Sequence, residues 1–224
     1  LSIHGIYSEQ VDALHSKTIS TAAKITEIKV LEWADKLTTD SQIVKKTYKK
    51  KLNVDFEFFY APLDIRKFEK LKNIEKKENQ IIFIGRDSFE KGIDILRKIE
   101  TKINGEIIYC TDMKWEDAME NLKASSILVI PSRMESIPQV IKEAFYLKVP
   151  IIATNVGGIP ELITNNETGI LIPPDNPKIL EDSINKLLED TETSKKLSDA
   201  GYQFVIKNLT WETLLPKYVK FYED

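Results

Sequence analysis

From Gln80 onward the chain repeats one pattern: a short unbroken apolar run, then a segment at helical spacing. Gln80–Ile84 and Ile127–Ile130, like residues 150–154, place aliphatic side chains at successive positions instead of alternating them with polar ones. A strand of that kind must be covered on both faces, which is the condition of a parallel sheet with helices on either side. The spacing predicts strands at 80–84, 106–110, 127–130, 150–154 and 169–172. Helices are predicted at 92–103, 115–124, 139–147, 160–163, 177–189, 192–207 and 211–222. This is a doubly wound parallel α/β domain of Rossmann-like layout, and it constrains everything else in the chain.

The first sixty residues are less regular. Leu1–Gly5 reads as a strand end running into a loop, and residues 11–33 as a helix from the spacing of Val11, Leu14, Ile19, Ala22, Ala23, Ile25, Val30 and Leu31. Residues 36–39 are a short strand candidate. Asp40 or Ser41 is placed to cap a helix through Leu52, because a short side-chain oxygen accepts from free first-turn N–H groups. Residues 54–60 read as a strand stopped by Ala61-Pro62, and residues 64–79, rich in Lys, Glu and Asn, as a linker or surface helix.

Composition removes several classes of function. A net charge of −3 offers no general basic face for nucleic acid. One cysteine, Cys110, excludes an intrachain disulfide framework and a cysteine-cluster metal site, and points to a reducing compartment, hence the cytoplasm. No apolar run reaches the ~18 residues of a spanning helix. The G-x-G-x-x-G, G-x-x-x-x-G-K-[ST], H-E-x-x-H and G-x-S-x-G patterns are absent, which sets aside dinucleotide oxidoreductases, P-loop NTPases, zinc proteases and α/β-hydrolases.

In doubly wound sheets ligands bind beyond the carboxyl ends of the strands, so the strand-to-helix loops carry the interest. Only 8 of 224 residues are glycine, about half the usual ~7% share, and several sit in those loops. Gly85 and Gly92 bracket Arg86 and Lys91, a planar guanidinium fork and a point charge that together suit a diphosphate. Two solvated cations on an ordinary loop would have the same spacing. Pro131–Ala144 places Glu135 in the loop after a buried strand and Glu143 eight positions later in the next helix, near a helix start marked by Pro138. Glu143 suits sugar hydroxyls, or equally a lysine of its own helix. Gly157-Gly158 suits a close backbone approach or a plain tight turn.

The ordered set Gly-Arg-x4-Lys-Gly, Pro-Ser-x2-Glu-x7-Glu-Ala, Gly-Gly-x2-Glu and Thr-Gly-x-Leu-x-Pro resembles the GT-B glycosyltransferases of family 4 (glycosyl transferases group 1), from about Gln80 to Val205. The resemblance implies a retaining transfer of a sugar from a nucleotide sugar to an unknown acceptor, with no metal and no cofactor. By its motifs Gly85, Arg86 and Lys91 bind the donor diphosphate, and Glu143 holds the ribose. Glu135, with Ser136, Ile137, Pro138 and Gln139, contacts the sugar and distal phosphate. Many relatives have Phe-Gly after the first Glu where this chain has Ser136-Ile137-Pro138, and the stretch before Pro131 is shorter than usual. Cys110, Thr111, Asp112 and Met113 are the local candidates for the nucleobase.

The same resemblance makes His4 the strand-end histidine of an acceptor-side domain and, with Glu135, a catalytic candidate. The implied layout is an acceptor-domain remnant over 1–62, a linker over 63–79, a donor-binding domain over 80–207, and a helix over 208–224 crossing back onto the remnant. Such a remnant exposes sheet edges and an apolar face, so it is expected to pack on the last helix or pair with a second copy. The basic run Lys45–Lys51 suits anionic lipid at the inner membrane face or a solvated helix face. His15, Trp115 and Trp211 read as surface or packing residues. The competing functions are a nucleotide-sugar-binding module and a related GT-B epimerase or phosphorylase.

Overall fold

The computed structural model describes residues 1–5 and 17–223. The chain divides into two compact units, Leu1–Ala61 and Pro62–Asp224.

The first unit holds a parallel three-stranded sheet in sequence order: β1 (Ser2–Ile3), β2 (Thr38–Thr39) and β3 (Glu57–Phe58). The strands are shorter than the sequence suggested at 36–39 and 54–60. Helix α1 (Lys17–Glu32) is the described part of the helix expected over 11–33; Val11, Leu14 and His15 lie outside the described residues. Helix α2 (Gln42–Leu52) is capped as expected, Ser41 Oγ accepting from the Val44 N–H, and it ends on left-handed Asn53. Leu31, Val44, Tyr48 and Phe56 form the unit's core, and the Tyr48 hydroxyl donates to the buried Glu27 carboxylate. α1 leaves Ile19, Ile25 and Ile28 exposed.

The second unit is built on a five-stranded, wholly parallel sheet. Its strands are β4 (Gln80–Ile84), β5 (Glu106–Cys110), β6 (Ile127–Ile130), β7 (Ile151–Thr154) and β8 (Ile170–Ile172), in the order β5-β4-β6-β7-β8. The chain steps from β4 to β5 on one side and then returns to place β6 on the other. A topological switch point therefore lies between β4 and β6, where Ile81 pairs Ile127. The absence of polar alternation is explained by burial: Ile81, Ile82, Leu128, Val129, Ile151 and Ile152 have essentially no exposure.

Seven helices of this unit follow the predicted order: α3 (Ile93–Ile99), α4 (Trp115–Ala124), α5 (Gln139–Tyr146), α6 (Ile159–Leu162), α7 (Pro177–Glu189), α8 (Thr191–Asn208) and α9 (Trp211–Glu223). Asn176 and Asp190 cap α7 and α8 through their carboxyl or amide oxygens. One predicted element differs. The helix of 92–103 ends at Ile99 and tightens into a 3-10 turn over Glu100–Lys102. In the 64–79 segment the helical part is a short 3-10 helix (Ile65–Lys70) that buries Phe68, whose ring meets Trp115 at 5.2 Å and Tyr146 at 4.7 Å.

Helix α5, which carries the carboxylate of interest, is set from behind by α8. Gly201 is buried mid-helix, and a Cβ there would lie 2.3 Å from the Phe145 ring. Exchanging glycine for alanine gains about 1 kcal/mol of helix propensity, while overpacking costs about 1–3 kcal/mol. Gly201→Ala is expected to lower Tm by roughly 2–4 °C, a net loss of about 1 kcal/mol, measured by thermal unfolding. An unchanged or raised Tm would show that α8 does not fix α5.

Candidate functional site at the strand ends

The loops that leave β4, β6 and β7 meet through their backbones. Gly92 has φ 67°, and a Cβ on it would sit 2.0 Å from the Pro131 carbonyl oxygen. Gly157 has φ 52°, with the Glu135 carbonyl oxygen 1.8 Å from its would-be Cβ, and Gly158 stands against the Ser136 carbonyl in the same way at 2.2 Å. The Gly158 N–H donates to that Ser136 oxygen at 2.8 Å. These approaches admit no side chain, so the glycines are required by the seam between loops. A plain turn does not account for them.

Across the switch point, Lys91 Nζ lies 2.6 Å from Glu135 Oε1, and the Ser132 hydroxyl donates to the same oxygen at 2.8 Å. Both charged side chains are largely buried, so the pair is less screened than a surface ion pair. Ser132 is itself positioned by the Thr154 hydroxyl, which donates to its carbonyl. Lys91 and Glu135, named from separate motifs, are thus direct neighbours. Arg86, from the same loop as Lys91, is 74% accessible and lies 3.5 Å from Glu90. The Gly85 N–H donates to the Cys110 carbonyl, tying the loop base to β5.

Arg133, inside the second motif, was given no role from sequence, yet it fastens the site. Its guanidinium donates to Asp94 at 2.6 and 3.0 Å, to Asp175 at 2.6 Å and to the Phe89 carbonyl at 2.6 Å, and lies 3.8 Å over the Phe89 ring. Its backbone N–H donates to the Glu90 carbonyl. The guanidinium holds the Asp94 carboxyl down to about 2. The available signal was a lone arginine directly after a buried strand and two small residues.

Beyond the seam, Pro138 takes an extended conformation and forms the N-cap of α5, one place before the first turn. Ile137 and Pro138 are largely enclosed, and Gln139 faces solvent. α5 then carries Glu143, half-buried, whose Oε1 accepts from the Trp115 indole N–H at 2.7 Å. Its hydrogen-bond partner is thus an indole of α4. Burial pushes the Glu143 carboxyl up, against the smaller downward pull of the Trp115 bond. Among the nucleobase candidates, the Cys110 side chain is buried and its thiol is pushed up to about 11 by burial. Thr111 is half-buried, and Asp112 and Met113 are exposed.

His4 lies in the first unit, its Nδ1 3.1 Å from Oδ2 of the buried Asp40. Within the second unit, Lys91, Glu135 and the Gly157-Gly158 turn come together, with Arg86 on the loop that carries Lys91. Among the described residues no group of three or more His, Cys, Asp or Glu side chains is placed to hold a metal ion, and no helix is long and apolar enough to cross a membrane.

Two outcomes follow from this geometry. Arg133→Ala is expected to lower Tm by roughly 4–8 °C, the loss of about 2 kcal/mol of charged hydrogen bonding; a shift under 1 °C would mean the clamp bears no strain. For Glu143, the folded state keeps its proton to higher pH than the unfolded chain, so stability falls as pH rises above the ordinary carboxylate value of 4.5. Glu143→Gln keeps an acceptor for Trp115 without that penalty. Its Tm should exceed the parent's at pH 7.5 by a few degrees and match it at pH 4, and an equal difference at both values would contradict the burial effect.

Comparison with known proteins accords with this arrangement. Residues 97–204 match the family model described as Glycosyl transferases group 1, a span that includes Glu135, Glu143 and the glycine pair but starts after Arg86 and Lys91. A glycosyltransferase of Methanocaldococcus jannaschii, MJ1178, is 29% identical over 174 residues, covering 77% of this chain and 42% of that protein. A second from the same organism, MJ1607, is 23% identical, covering 98% of this chain and 65% of that protein. The chain thus spans about two fifths to two thirds of the length of these relatives. Anabaena Alr3699/HepE, solved in complex with UDP-glucose, superposes with a TM-score of 0.78 at 16% identity, over 99% of this chain and 71% of that one. The chain has the α/β fold with parallel sheets of the GT-B glycosyltransferases, and its residues 97–204 carry the glycosyl transferases group 1 pattern.

Proposed function

We propose that this chain is the donor-binding part of a retaining glycosyltransferase that uses a nucleoside diphosphate sugar. The reading rests on one observation above others: Lys91 and Glu135, from loops on opposite sides of the switch point, meet at 2.6 Å where such sheets take their ligands. A lysine beside a carboxylate in one crevice suits a ligand with a phosphate next to a hydroxylated ring. Glu143 lies in the helix that starts from the same loop, ready to accept from hydroxyls. The match of residues 97–204 and the likeness to HepE, whose structure contains UDP-glucose, support the same reading.

In this proposal Arg86, Lys91 and the Gly85 backbone take the diphosphate. Glu135 and the Ser136–Gln139 segment take the sugar and distal phosphate, and Glu143 takes the ribose. Thr111, Asp112 and Met113 edge the base. As the bond from the anomeric carbon to the phosphate oxygen breaks, the departing diphosphate gathers charge, which Arg86 and Lys91 offset without a metal ion. The protein contributes positioning and electrostatics.

Calorimetric titration with UDP-, GDP- and ADP-sugars in EDTA tests the binding. One of the three should bind, and Arg86→Ala combined with Glu143→Ala should weaken it by about 100-fold or more. Failure of all three to bind, or unchanged affinity in the double variant, would sink the assignment. Product formation with an acceptor panel then distinguishes a transferase from a binding module.

A further inference from the structure

We propose that Trp115 is a positioning residue that sets Glu143 to recognise the vicinal diol of the donor's ribose. The inference rests on the reading of Glu143 given above and adds a residue to it.

The terminal torsion of a glutamate is broad, so a carboxylate on a helix does not by itself hold a plane. Here the plane is held. Trp115 is the first residue of α4, and its indole N–H reaches Glu143 Oε1 at 2.7 Å. An indole nitrogen only donates, so it favours an acceptor oxygen at that place whatever the charge of the carboxyl. Oε1 keeps a second lone-pair direction, and Oε2 makes no hydrogen bond among the described residues. Two acceptor directions in one fixed plane match two neighbouring hydroxyls.

The indole is itself held. Phe68 packs edge-on against it at 5.2 Å and 76°, and the Phe68 ring also meets Tyr146 at 4.7 Å. Tyr146 lies on α5, the helix of Glu143. Phe68 thus links the indole to the helix of its acceptor, so rotating the indole away would break its contact with Phe68 as well as the hydrogen bond. The residue before Trp115 is Lys114, and only residues 111–114 separate β5 from α4. This short connection brings the helix start, and with it the indole, alongside α5.

The test uses the full chain and whichever of UDP, GDP and ADP binds it most tightly, together with the 2′,3′-dideoxy analogue of that nucleotide. Trp115→Phe retains the ring stack and removes the donor. It should weaken the ribonucleotide by about tenfold, the weight of one hydrogen bond to a charged group, and leave the dideoxy analogue unchanged. Trp115→His restores a ring N–H and should recover part of the discrimination. Adding Trp115→Phe to Glu143→Gln should cost nothing further, because the two act as one unit. Equal weakening of both ligands, no weakening of either, or additive effects in the double variant would overturn the inference. If no nucleotide binds the parent chain, the donor reading itself fails, which is a separate result.

Discussion

The site depends on backbones that touch where no side chain fits. Three glycines, Gly92, Gly157 and Gly158, put the loops after β4 and β7 against the carbonyls of Pro131, Glu135 and Ser136 in the loop after β6. Two of them take positive φ, which an L side chain adopts at a cost of about 1–2 kcal/mol even without a clash. With the seam closed, Lys91 and Glu135 are brought within ion-pair distance and Ser132 is held beneath them. Without it, the same residues would sit on separate loops.

The layers of the second unit were legible in sequence because its central strands, β4, β6 and β7, are buried on both faces. An unbroken run such as Ile127–Ile130 has few alternatives when flanked by helical spacing, and β4, β5 and β6 fall where that pattern puts them. The short strands of the first unit were overestimated, since two-residue pairings at 38–39 and 57–58 leave little periodic signal. The buried ring of the 64–79 segment was missed for a related reason. Its charged composition suggested a linker or surface helix, and gave no sign that Phe68 would be buried.

Site residues divide the same way. Arg86, Lys91, Glu135 and Glu143 stood out as members of an ordered set of motifs; by spacing alone each also read as a solvated loop or helix-surface charge. Arg133 and Trp115 did not, because their roles depend on partners 39 and 28 positions away. A guanidinium satisfied by Asp94, Asp175 and a carbonyl reads in sequence as one more surface cation. Likewise, an indole whose face packs and whose nitrogen donates reads as core. The buried thiol of Cys110 is the converse case, a reactive residue type that the fold renders inert.

Phe68 carries a consequence for how the chain tolerates change. The segment around it is mostly lysine, glutamate and asparagine turned to solvent, and substitutions there fall among surface changes that usually stay within about 0.5 kcal/mol. One position in it backs the indole that meets Glu143. Composition is therefore a poor guide to which positions of the segment matter, because its exposed charges surround one buried aromatic. A variant library across 64–79 should tolerate change at its exposed charged positions and reject it at that ring and at Asn79, which holds a φ of 55°.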